Sequence, residues 1–423
     1  MGIKRGEWEK LFRNPIFIVL IGIFLIYNVL LIYNNSNIKD DLERTNELIS
    51  EFGYKVDEDM LKGLENKYEE KMEQLNEMTE RKFHKTFSTM DEFLISEDYK
   101  KGIYTERLFS EDDKELISEL SIINLYKNVT PDSISKFENL NASDIAERTI
   151  SMYGLKDEAA DLVRKNYEEL GERLQELKGN GEHKNLYFFG EDYETQELLY
   201  KKVIGACLIE IMILVVLGMS FLVNYERENK TLGLVSTTKR GRKFILDKLF
   251  VGLMYSILVT AIILGVTLII YFTVFDYSKV WNVPISSALN CEGGPHISWH
   301  NLTVLQNLII SIGVVFIIAL ISGGISFCLG LFLKSSYKAF FTFFVLFGAL
   351  FMMTALFSVS SPLVIWSNYN IFVLALNPQR WFAEAGAFMT SKHYVTSTLL
   401  SNGAIVTIFS LLLIRRFKKA DIV

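Results

Sequence analysis

Cysteine is scarce in this 423-residue sequence: Cys207, Cys291 and Cys328 are the only three. Two lie in long apolar runs and one between such runs, so neither a disulfide framework nor a zinc-ligand spacing is on offer. Histidine is nearly as rare, with His84, His183, His296, His300 and His393 all outside the apolar runs. His296 and His300 stand near Cys291 and Glu292, a spacing that favours an ordinary polar loop over a metal site. The chain also has no G-x-x-x-x-G-K-[ST] phosphate loop, no H-E-x-x-H zinc helix and no G-x-S-x-G elbow. These gaps argue against an enzyme, and against any cofactor held by this chain itself.

What the sequence does have is segregation. Half its residues are hydrophobic, yet 22% are charged, so the two kinds must occupy different stretches. Crossing a hydrocarbon core takes about 18 or more apolar residues. Six stretches qualify: 16–33, 203–223, 249–275, 302–333, 339–359 and 395–414. The first resembles a signal peptide in following basic residues, but it lacks a small-residue cleavage site and reads as a retained anchor. The expected fold class is an all-α membrane protein with six transmembrane helices.

Lysine and arginine set the orientation. They crowd the N-terminal arm, residues 224–248, the short turn with Lys334 and Lys338, and the tail from Arg415 to Lys419. The short loops of the other side carry only Lys279, Arg380 and Lys392. Both termini are therefore expected in the cytoplasm. Residues 34–202 hold 24 basic and 40 acidic side chains, a net of −16, while the remainder nets +10. A basic inner rim suits anionic lipid headgroups, and nothing calls for nucleic acid.

Residues 34–202 read as a helical extracytoplasmic stalk domain. Leu61, Leu64, Tyr68, Met72, Leu75 and Met78 recur at helical spacing, and so do Val163, Tyr167, Leu170, Leu174 and Leu177. Two such stripes can bury one another in an antiparallel stalk. Shorter helices are expected to start at Thr130-Pro131-Asp132, at Ser143 and at Ser110, with Gly154 ending the second. The acidity of this region fits a gate or receiver for a cationic substrate, although solvated helix faces explain it as well.

The N-terminal arm, residues 1–15, places Trp8, Leu11, Phe12 and Arg13 on a short amphipathic segment suited to a membrane interface, with Pro15 marking the break before the first span. Residues 224–248 form a charged insert between two apolar spans. Residues 360–394 are too apolar for a connector: Pro362 to Trp366 and Ile371 to Leu376, broken at Asn377-Pro378, suggest two re-entrant half-helices. Glu210 is the acid clearly inside a span, which makes it a candidate pathway residue or a hydrogen-bonding partner of a neighbouring helix or of Lys201 or Lys202. The small residues of Ile321 to Ser326 favour close helix packing.

Together, Arg13-Asn14-Pro15 and the insert resemble the ABC-2 type permeases, the membrane subunits of ATP-binding cassette exporters. Their first cytoplasmic loop commonly reads E-R-E-x-G-T-L-x-x-L-x-S-T-P before a basic helix. Here Glu226-Arg-Glu228, Thr231-Leu232 and Ser236-Thr237 fall in that order, with Lys230 in place of the usual glycine and Thr238 in place of proline. Thr238 remains able to cap the helix that follows.

The resemblance implies a permease that couples ATP hydrolysis by separate ABC ATPase subunits to export, with a peptide or drug among the candidate cargoes. ATP and magnesium would be bound by the partner ATPase. A second copy or a related permease would complete the transporter in a bacterial cell membrane. Glu226, Glu228, Thr231, Leu232, Val235, Ser236 and Thr237 are then expected to meet the ATPase, while Lys239, Arg240, Arg242, Lys243 and Lys248 snorkel at the bilayer surface. The alternative is a membrane-anchored sensor or mechanotransmission protein that uses the helical outer domain.

Overall fold

The computed structural model describes residues 3–104, 108–186, 192–238, 240–289 and 295–419. Six helices among them are long and apolar enough to cross a membrane: Pro15–Asn34, Glu194–Glu228, Gly241–Val274, Val304–Leu333, Ser336–Leu356 and Tyr394–Lys419. The all-α membrane class holds, and the described residues contain only isolated β-bridges. Because each span reverses direction, the arm, the 229–240 loop and the 334–335 turn share one end of the bundle, here the arm end. The described residues of the 35–193 region and of the connections between the third and fourth spans and between the fifth and sixth share the other.

The second span is the hub. Its most apolar window is 72% buried, against 17% for the first span, 11% for the fifth and 22% for the sixth. It packs on the first, third, fourth and fifth spans. Small side chains let the backbones approach: Gly330 lies against Val223 and Asn224, and Gly323 lies against Val215 and the Ser256 hydroxyl. Serines tie the same interface, with the Ser220 and Ser326 hydroxyls 2.8 Å apart and Ser326 donating to the Val216 carbonyl. The second span enters through a wide π turn, Leu198–Ile204, before the regular helix Gly205–Glu228.

The region between the first and second spans is helical but is not one antiparallel stalk. Helix Glu58–Phe83 buries Leu64, Tyr68, Met72, Leu75 and Met78 and packs against helix Glu111–Glu138. Helix Asp157–Asn180 buries Val163, Tyr167, Leu170, Leu174 and Leu177 in a separate apolar cluster. That cluster contains residues of helix Ala142–Tyr153 together with Ile297, Trp299, Val364 and Ile365 from the segments between spans. The two stripes therefore find different partners, since periodicity states which face is apolar and leaves its mate undefined.

Ser110 starts the 111–138 helix with a capping box to Asp113, whose carboxyl sits below the usual range: the Lys82 ammonium and the Ser110 donors outweigh the opposing effect of burial. Pro131 does not begin a helix there, but sits inside that one. Packing along Ile117, Leu120, Ile123 and Phe137 carries the helix through the missing N–H. Asn141, rather than Ser143, caps helix Ala142–Tyr153: its extended backbone aims the side-chain oxygen at the Ser143 N–H, 2.9 Å away. Gly154 ends that helix at φ +63°.

Between the fifth and sixth spans, Leu363–Trp366 and Ile371–Leu376 form two short helices. Asn370 caps the second by accepting from Phe372 and Val373 N–H at 3.0 Å each. All five residues from Ile371 to Ala375 are buried, against the second, fourth, fifth and sixth spans.

Candidate functional site

The arm end of the bundle gathers most of the residues that the sequence singles out. Helix Gly205–Glu228 closes with the hydrogen bonds of a Schellman motif: Thr231 N–H donates to the Glu226 carbonyl at 2.7 Å, and Lys230 N–H to the Arg227 carbonyl at 3.1 Å. Such a stop requires one left-handed residue, and Lys230 supplies it at φ +58°. That is the position where the resemblance calls for glycine. A side chain there is strained by about 1–2 kcal/mol.

The stop turns the chain into a short helix, Leu232–Ser236, in which no residue is buried and Leu234 is 74% exposed. Thr237 donates to the Leu234 carbonyl and Ser236 to that of Leu232. Thr238 closes this same helix by donating to Val235 at 2.7 Å, so it does not cap the next one. Its hydroxyl reaches back more easily than forward from the turn it occupies.

Directly behind lies a buried ion cluster. Lys10 reaches Glu7 at 2.6 Å and Glu226 at 2.5 Å; Lys248 pairs with Glu226 and lies 3.5 Å from Glu7. Lys248 also donates to the Leu222 carbonyl. Two carboxylates and two ammoniums thus join the arm helix Ile3–Phe12, the second span and the third. Burial opposes the charge on Lys10, yet its hydrogen bonds to Glu226 and Glu7 hold it above the ordinary lysine value.

Lys248 therefore departs from the surface role its position in a basic run suggested: it is 0% exposed. The third helix begins at Gly241, so the run winds through two helical turns, and one of its side chains must point into the bundle. Glu226 is likewise buried, at 3% exposure, and presents no docking surface. Glu228 accepts from the Ser336 N–H at 2.7 Å, at the start of the fifth span. Arg240 grips Asp247 with two 2.8 Å bonds, which raise it above the ordinary arginine value. Arg242 donates to the Lys418 carbonyl at the end of the sixth span. Lys243 is exposed, and Lys239 lies outside the described residues.

On the arm, Trp8 stacks on Phe12 with centroids 5.4 Å apart; Phe12 is exposed and Leu11 is buried. Arg13 is exposed and lies 3.6 Å from Glu9. Lys4 sits over the Phe250 ring at 3.9 Å. Away from this end, Glu210 accepts from Asn28 of the first span at 2.8 Å. Cys291 and Glu292 lie outside the described residues.

A family model described as ABC-2 family transporter protein matches residues 15–414, nearly the whole chain. The chain belongs to the ABC-2 family. No curated protein and no solved structure matches it. As an ABC-2 permease it is a membrane-embedded transport component rather than the catalytic subunit, and membership implies association with an ABC ATPase.

Three residues that position this permease's arm end, and one that bonds to Glu210 away from it, were not singled out as sites. Glu7 and Lys10 stand at i, i+3 in the arm, and Asp247 is the lone acid of the basic run, so each carried a weak signal. Asn28 was legible as the one amide inside the first apolar run.

Proposed function

We propose that this permease couples ATP hydrolysis by separate ATPase subunits to outward movement of a substrate, with helix Leu232–Ser236 as the contact that receives the push. In this reading the arm end faces the cytoplasm of a bacterial cell, and a second copy or a related permease completes the pathway. ATP and magnesium belong to the ATPase. The exposed helix carries the reading, because it is fixed at its base by the Schellman stop and the ion cluster while leaving Leu234 uncovered. A load on it passes through the Glu226 backbone into the second span, and through Lys248 and Lys10 into the third span and the arm.

The docking face is accordingly Leu232, Leu234, Val235 and Thr237. Reversing charge at Glu226 or Glu228 would perturb the fold as well, so it tests coupling poorly. Leu234→Asp is the cleaner probe, since an exposed substitution changes stability by about 0.5 kcal/mol or less. Loss of copurification with the cassette ATPase at an unchanged melting temperature supports the reading; retained binding and retained ATPase stimulation overturn it.

Mechanotransmission is favoured as a second reading by the ties between the helical region that follows the first span and the segments beside the later spans. Tyr167 donates to Glu384 at 2.5 Å and Arg173 to the Ser298 carbonyl at 3.0 Å. ATP-driven solute movement in reconstituted vesicles separates export from force transmission alone.

A further inference from the structure

Glu210 stands in the hub helix, 5% exposed, with one short hydrogen bond, from the Asn28 amide of the first span at 2.8 Å. The same amide donates to the Thr267 hydroxyl of the third span at 3.0 Å and approaches the Cys207 sulfur at 3.7 Å. Two acceptors on this one pair of side chains, Glu210 Oε1 and Asn28 Oδ1, are buried and receive no donor. The groups around the carboxyl are Asn28 from the first span and Cys207 from its own helix, with Thr267 of the third span bonded to the same amide. None of these is a cation, and no ion pair to Glu210 occurs among the described residues.

An ionised carboxylate here would be a charge without a counter-charge inside an apolar bundle, with half of its acceptor capacity unused. A single proton on Oε1 removes both faults. It cancels the charge, and it supplies an O–H that answers Asn28 Oδ1 while Nδ2–H answers Oε2. Turning the Asn28 amide over sets its oxygen against the carboxyl group, which again calls for a proton between them.

We infer that Glu210 is a proton-binding site, held as the neutral acid and joined to Asn28 in a two-bond acid–amide pair that staples the first span to the second. Most of the first span is left uncovered by the bundle, its apolar window being 17% buried. Separating it from the hub would expose the acid to water, where it gives its proton to solvent and becomes an ordinary carboxylate. Movement of the first span is therefore linked to release of one proton. This inference is independent of the direction of transport and of the coupling helix.

The test is infrared spectroscopy of the purified full-length chain in lipid nanodiscs at neutral pH. The wild type is expected to show the C=O stretch of one neutral carboxylic acid per chain. That band should vanish in Glu210→Gln and move in Glu210→Asp. Glu210→Gln, a neutral mimic able to pair with Asn28, should also keep the wild-type melting temperature, whereas Asn28→Leu should lower it. A wild-type spectrum with no band that either substitution removes or shifts overturns the inference. Should Glu210→Gln fail to fold, the band shift in Glu210→Asp decides.

Discussion

Replacing Lys248 by methionine separates the buried cluster from a surface basic run more sharply than any other change. If Lys248 reached the bilayer surface, its loss would cost about 0.5 kcal/mol or less. In the structure it is wholly buried, and it shares Glu7 and Glu226 with Lys10, whose side chain is 21% exposed. Methionine of similar length fills the space but leaves two buried carboxylates to one ammonium. Breaking a buried pair from one side costs about 3–5 kcal/mol, because the partner charge remains without compensation. The Leu222 carbonyl also loses its lysine donor.

The compensating change is Glu226→Gln. With both substitutions, one charge of each sign is gone, while Glu7 and Lys10 keep their 2.6 Å contact. The double variant should therefore recover about 1–3 kcal/mol relative to the sum of the single variants. Equilibrium unfolding in mixed detergent micelles, followed by tryptophan fluorescence, gives all four corners of the cycle. A Lys248→Met cost under about 1 kcal/mol, or strict additivity in the double variant, would refute the cluster as an energetic unit.

Three further outcomes follow from single residues. Lys230→Gly should stabilise the chain by about 1 kcal/mol or less, since it relieves the left-handed position without touching a contact, while Lys230→Val should do the reverse; thermal melts read both. Leu234→Asp should abolish ATPase copurification and leave the melt unchanged. His296 is half-buried in the segment between the third and fourth spans, and desolvation of its ring, helped by nearby Arg380, lowers its pKa to about 4. A histidine lowered from its unfolded value near 6.5 contributes stability that is complete above about pH 6.5 and is lost as pH falls towards about 4, a loss of about 3 kcal/mol at 1.36 kcal/mol per unit. His296→Asn should therefore show a shallower fall in stability than wild type across that window; parallel profiles would refute the assignment.

The spans were legible because burial in a bilayer is written one residue at a time: apolar length alone marks them, and each of the six helices overlaps one of the six runs, with shifts at their ends. Local starts and stops were legible where a single residue sets the cap, as at Ser110 and Gly154. What the sequence could not carry was choice of partner. The stripe from Val163 to Leu177 has the same rhythm whether it meets the Leu61 stripe or, as it does, helix Ala142–Tyr153 and the segments beside the spans. Charge behaves similarly. In a row of lysines and arginines, Lys243 ends in solvent, Arg242 on a carbonyl and Lys248 in a buried cluster, and the difference arises from a third helix that starts at Gly241 and from an arm that brings Glu7 and Lys10 across more than 200 residues. The motif Glu226-Arg-Glu228 was visible for the same reason that its role was not. A pair of acids at a helix end looks like a docking surface until the counter-charges are placed. Once they are, the acids anchor the helix, and the exposed surface at this end is the apolar turn they hold in position.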